Sequence, residues 1–122
     1  MSLPFQGLRT VVYPVGDLAR AKAWYSRALA IEPYFDEPFY VGFNVGGFEL
    51  GLDPHAPVAG QCGPVAYWGV PDADAALDCL VGLGAHCHEA VRDVGGGIRV
   101  GTVQDPFGNL LGVIQNPHFQ VS

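Results

Sequence analysis

The feature that most constrains this chain is an internal repeat. A β-branched run closed by a proline, "LRTVVYPV" at residues 8–15, leads into an aspartate and then a stretch with helical spacing. Farther on, "PVAYWGVPDADAALDCLVGLGA" presents the same order of strand, aspartate, helix and terminating glycine. An offset of fifty-five positions lays Val15 on Val70, Asp17 on Asp72, Ala21 on Ala76, Thr10 on Val65 and Val12 on Tyr67. The chain reads as a duplicated β-α-β-β-β unit, whose two copies are expected to place their sheets side by side around a shared trough.

Within the first copy, Asp17 is a good N-cap, and Leu18, Ala21, Tyr25, Ala28 and Leu29 recur on one helical face that Trp24 widens. Three short strands are expected near residues 34–36, 39–45 and 48–52, with Gly46 and Gly47 forming the last hairpin turn. The second copy is expected to continue with strands at 86–89, 97–104 and 109–115. The fold class is therefore α+β: two tandem β-α-β-β-β units, about 8–54 and 63–119, in a single 1–122 domain. They are expected to form a curved mixed sheet or incomplete barrel around a trough, with helices on the outer faces. Side chains alternate along each strand, so half of every strand would line that trough.

Composition narrows the partners. With 122 residues, 49% apolar and only 15% charged, the chain suits one folded domain. A net charge of −6 and no basic run remove the electrostatic footprint of a nucleic-acid binder. The amino terminus carries no charged region ahead of a long apolar run, and no stretch stays apolar for a bilayer span, so no membrane association and a cytoplasmic location are expected. Cys62, Cys79 and Cys87 match no zinc or redox spacing and read as reduced thiols, with Cys79 packed in the second helix. His86 and His88 share a strand face, but the sequence shows no third ligand beside them and they are left out of the site.

The segments "VVYPVGDLARAKAWYSRALA", "GGFELGLDP" and "GGGIRVGTVQDPFGNLLGVI" resemble the vicinal oxygen chelate superfamily, which includes glyoxalases, extradiol dioxygenases and bleomycin resistance proteins. The similarity runs from about residue 8 to residue 119. It implies four metal-ligand positions, one on the first and one on the last strand of each unit. Here they fall on Thr10, Glu49, Val65 and Gly112, so three of the four lack the family's ligand residue. A divalent ion that polarises a substrate needs several nitrogen or oxygen ligands, so no metal and no cofactor are expected. Enzymatic activity is for the same reason not assigned. The resemblance also implies a homodimer and a mobile glycine-rich loop over 93–102.

The expected ligand-binding residues are Thr10, Val12, Glu49, Val65, Tyr67, Arg99, Phe107, Leu110, Gly112 and Ile114, largely apolar with a few polar groups. Glu49 is the one candidate for a catalytic role. Facing an apolar pocket, its carboxyl should have a raised pKa and act as a base or anchor a cation; otherwise it faces solvent or pairs with Arg99. Gly112 either leaves volume for a ligand or permits close packing in a curved strand. Tyr34, Tyr40, Phe43, Tyr67, Trp68 and Phe107 supply aromatic walls or core. The function expected is metal-independent binding of a small organic molecule, aromatic, cationic or antibiotic-like. The alternatives are a metal-dependent lyase, isomerase or dioxygenase of the same superfamily, and an interaction domain whose trough is filled.

Overall fold

A computed structural model describes residues 6, 8–56 and 65–118. The chain separates into two compact units, 1–56 and 57–122. The expected start of the second repeat at 63, its end at 119, and Cys62 lie outside the described residues.

The first unit runs β1 (Thr10–Pro14), α1 (Leu18–Leu29), β2 (Phe35–Glu37), β3 (Tyr40–Val45) and β4 (Phe48–Asp53). Its strands hydrogen-bond in the order β1-β4-β3-β2, with β1 parallel to β4 and the other pairs antiparallel. Asp17 caps α1 by accepting from the Arg20 amide at 3.1 Å, worth about 1 kcal/mol. Helix α1 packs on one face of the sheet. There Tyr13, Val41, Phe43, Leu50 and Leu52 meet Ala21, Trp24 and Tyr25, all buried, and Tyr13 stacks on Tyr25 with ring centroids 6.1 Å apart. Alternation then turns Thr10, Val12, Tyr40, Gly42, Glu49 and Gly51 onto the opposite, helix-free face.

The second unit repeats this plan with β5 (Tyr67–Gly69), α2 (Ala73–Gly82), β6 (His86–Asp93), β7 (Arg99–Gln104) and β8 (Leu110–Gln115), in the order β5-β8-β7-β6. Asp72 caps α2 through the Ala75 amide at 3.1 Å, and Gly84, at φ 107°, supplies the left-handed residue that stops it. Ala73, Leu77, Leu80, Ala85, Val103, Leu111 and Val113 form the core. Helix and sheet approach closely, since a Cβ added at Gly101 would come within 3.2 Å of Leu77. Each unit thus holds one four-stranded mixed sheet.

Some local expectations change. Strand β6 runs four residues beyond 89, because the β6–β7 reversal is made later. Val94 and Ile98 close it with backbone hydrogen bonds, and Gly95, Gly96 and Gly97 all adopt positive φ. The glycine-rich loop is therefore a tight hairpin turn. Cys79 is exposed, on the outward side of α2, as is Cys87 on β6. A register shift between Cys87 and Glu89 breaks the expected alternation of His86 and His88, and the His88 ring instead meets the Thr102 hydroxyl at 3.1 Å. Among the described residues no helix is long and apolar enough to cross a membrane.

Candidate functional site

The helix-free face of the first unit gathers its polar groups around Glu49. Gly46 and Gly47 turn the chain at φ 60° and 92°, and the Asn44 side chain braces the turn by accepting from the Gly47 amide at 2.9 Å. Strand β4 therefore starts in a set register, with Glu49 between Thr10 of β1 and Asn44 of β3. Two glycines next to it, Gly42 and Gly51, face each other across β3 and β4. Their missing side chains make room for three larger ones. A Cβ on Gly51 would lie 1.8 Å from the Tyr40 hydroxyl, and one on Gly42 would lie 2.8 Å from Glu49 Oε1 and 3.3 Å from the Tyr34 ring.

Through that space the Tyr34 hydroxyl donates to Glu49 Oε1 and the Tyr40 hydroxyl to Oε2 at 2.6 Å. The Tyr34 bond, the Tyr40 bond and a further one from Thr10 favour the charged carboxylate and hold its pKa below the ordinary value of 4.5, outweighing the opposing effect of burial. The expected upward shift is thus reversed: hydrogen bonding to the anion wins over desolvation. Both phenols move the other way. Tyr34 is raised above 10.0, chiefly by its bond to Glu49, and Tyr40 more strongly, chiefly by burial and then by Glu49. Around this group lies an open cleft of about 250 Å³ walled by Tyr34, Phe48 and Thr10, with Arg9 and Asn44 also on its lining.

Of the remaining sequence candidates, Val12 belongs to the first unit and the others to the second. Val12 shares the Glu49 face but lies opposite Gly51, and is 46% exposed. In the second unit, Tyr67 pairs with Gly112, so Tyr67, Leu110, Gly112 and Ile114 share one face, with Val65 just ahead of β5. Gly112 leaves no free volume: an added Cβ would be 2.6 Å from the Tyr67 ring and 2.7 Å from the Ala66 carbonyl oxygen. The close-packing reading of that glycine is the one its surroundings support. Arg99 belongs to the other face of β7. It pairs with Asp74 of α2 at 3.1 Å, because residues 99, 101 and 103 alternate toward the helix, so it is not on the Gly112 face. Phe107 lies in the β7–β8 turn, where Asp105 Oδ1 accepts from the Phe107 and Asn109 amides at 2.9 and 2.8 Å, and is part of neither strand.

Residues 7–113 match the family model of the Glyoxalase/Bleomycin resistance protein/Dioxygenase superfamily. The chain belongs to this superfamily. Solved structures agree on the fold. A glyoxalase-related enzyme from Fulvimarina pelagi superposes with a TM-score of 0.79 at 18% identity, over 97% of this chain and 94% of that one. A lactoylglutathione lyase from Agrobacterium tumefaciens gives 0.74 at 20% identity, over 96% and 100%. A glyoxalase/bleomycin resistance protein from Catenulispora acidiphila gives 0.68 at 25% identity, over 91% and 100%. No curated protein matches the chain.

Thr10, Glu49, Val65 and Gly112, the positions that the resemblance assigns to metal ligands, do not fit a divalent ion. Thr10, Val65 and Gly112 offer one hydroxyl between them, and Glu49 already accepts a phenol on each oxygen. Among the described residues no three His, Cys, Asp or Glu side chains assemble into a group able to hold a metal. The strand register adds a second difference between the copies. Val12 pairs with Gly51 and its repeat counterpart Tyr67 pairs with Gly112, so Gly112 is the counterpart of Gly51 and Leu110 that of Glu49, and Glu49 and Gly112 are not the equivalent positions of the two copies expected from the sequence. The two repeats differ at this point: a carboxylate under two phenols in one, a leucine beside a tyrosine-capped glycine in the other.

The charged hydrogen bonds also predict a pH window. A lowered Glu49 pKa stabilises the fold above the carboxyl's unfolded value near 4.5, and that gain is lost as pH falls through the lower folded value. Raised phenol pKa values stabilise below the unfolded 10.0 and lose their contribution as pH rises through the folded values. Denaturation midpoints of wild type and Tyr40→Phe, measured from pH 3 to 11, should differ by a constant amount from roughly pH 5 to 10 and converge at the acid end. A difference that persists unchanged into acid would contradict the assignment.

Proposed function

We propose that this chain binds a small organic molecule in the cleft on the helix-free face of its first unit, with Glu49 as a fixed anion and without a metal ion. The observation that carries the reading is the pair of phenol hydrogen bonds to Glu49. A general base works best with a pKa near the working pH, and a general acid likewise. Here the carboxylate is shifted down and the phenols up, so each group moves away from neutrality and toward a fixed charge state. Such an arrangement suits holding a ligand better than moving a proton. An aromatic wall from Tyr34 and Phe48 beside a few oriented polar groups is the usual make-up of a small-molecule site. Sequestration of an aromatic or antibiotic-like compound, by a cytoplasmic homodimer, is the physiological form that superfamily membership suggests.

A fragment screen by NMR on chelator-treated protein tests this. Hits should perturb Tyr34, Phe48 and Glu49, survive excess EDTA, and weaken at least tenfold in Gly42→Ala, whose added methyl displaces Glu49 Oε1 and the Tyr34 ring. Hits that disappear with EDTA, or that bind Gly42→Ala as well as wild type, would overturn the reading.

A further inference from the structure

Hydrogen-bond capacity at the floor of the cleft is one-sided. A carboxylate only accepts, and a phenol or threonine hydroxyl has a single proton to give. Tyr34 and Tyr40 each spend that proton on Glu49. What these three side chains still offer a visitor is lone pairs alone: two remaining sites on the carboxylate and those of the two phenol oxygens. The Arg9 guanidinium on the cleft wall is partly engaged within its own segment. Arg9 Nη1 reaches the carbonyls of Gln6 and Leu8 at 3.0 and 3.4 Å, and Nη2 reaches Gln6 Oε1 at 3.4 Å. An uncharged acceptor or an anion seated directly on the carboxylate and its two phenols would find no proton to share there and a negative charge to oppose it.

We infer that the ligand group seated against Glu49 is an organic cation with several N–H donors, a primary ammonium or an amidinium, its charge against the carboxylate and its body against Tyr34 and Phe48. An ammonium donates three hydrogen bonds and carries no acceptor, which complements this floor group by group. The 63%-exposed Tyr34 leaves a ring face accessible to the same cation. A hard inorganic dication is a poorer match, since it wants several anionic oxygens and finds one carboxylate. The inference rests on the small-molecule reading above and narrows it to one chemical class.

The test uses three probes of one shape, benzylammonium, benzyl alcohol and benzoate, titrated against the full chain by NMR with Tyr34 and Glu49 as reporters. Benzylammonium should bind at least tenfold more tightly than the other two, lose that advantage in Glu49→Gln, and resist competition by millimolar Mg²⁺ or Ca²⁺. Equal binding of the three probes at these residues would overturn the cation inference and leave the small-molecule reading standing. Displacement by Mg²⁺ or Ca²⁺ would assign the floor to an inorganic ion and overturn the cation inference. Absence of any shift at Tyr34 and Glu49 with all three probes, together with an unproductive fragment screen, would overturn both.

Discussion

Gly51→Ala should lower stability by roughly 2 kcal/mol and release Tyr40 from Glu49 while the helix-side core stays intact. The added methyl would lie 1.8 Å from the Tyr40 hydroxyl and 2.5 Å from its Cζ, so both cannot keep their places. The obstacle is the far end of one side chain, and Tyr40 can swing away. The cost is then the hydrogen bond to a charged group plus whatever strain remains. Leu50 and Leu52, which flank Gly51 in sequence, point to the other face and are fully buried there, so α1 should feel little. In a double-mutant cycle most of the penalty should vanish when Gly51→Ala is placed in a Tyr40→Ala background. Equal cost in both backgrounds would show that Tyr40 does not occupy that space.

Gly112→Ala should cost more, about 3 kcal/mol, and should not be rescued in the same way. Its added methyl meets the Tyr67 ring at 2.6 Å and also the Ala66 carbonyl oxygen at 2.7 Å. Tyr67 is 44% exposed and can move, but Ala66 accepts the Gly112 amide at 2.9 Å in the β5–β8 pairing, so the backbone must shift too. A Tyr67→Ala background should therefore recover only part of the loss, as read by urea midpoints at unchanged m. Full recovery would mean that the ring alone dictates this glycine. The same geometry implies that Gly112→Glu would not rebuild a superfamily metal position, because the carboxylate's path is occupied from its first carbon.

Much of the fold is legible in the residues. The aspartates at 17 and 72, the helical spacing after each and the glycine turns locate both helices and all the expected strands, because those signals are local and cap or reverse the chain by themselves. The strand faces are legible only with the register. Arg99 shares alternation with Gly101 and Val103 and so faces α2, which the spacing alone could have shown once Val103 was placed in the core. The site was half visible. Thr10 and Glu49 follow from the repeat and the superfamily likeness, whereas Tyr34 and Tyr40 read as generic aromatics. Their role depends on contacts to Glu49 across fifteen and nine positions of sequence, made possible by two glycines in strand interiors. Gly42 and Gly51, two residues without side chains among strand formers, were the available signal. The direction of the Glu49 shift was out of reach for the same reason, since it turns on which hydroxyls arrive.

The most direct test of the central claim, that Glu49 is committed to a phenol-bonded, metal-free site, is the metal content of untagged protein. Wild type and Glu49→Gln are incubated separately with Ni, Zn, Mn and Fe(II), desalted and assayed by elemental analysis. The account predicts well under one equivalent of any metal, with no difference between the two proteins. One equivalent in wild type that disappears in Glu49→Gln would contradict it and return the chain to oxygen-polarising metal chemistry.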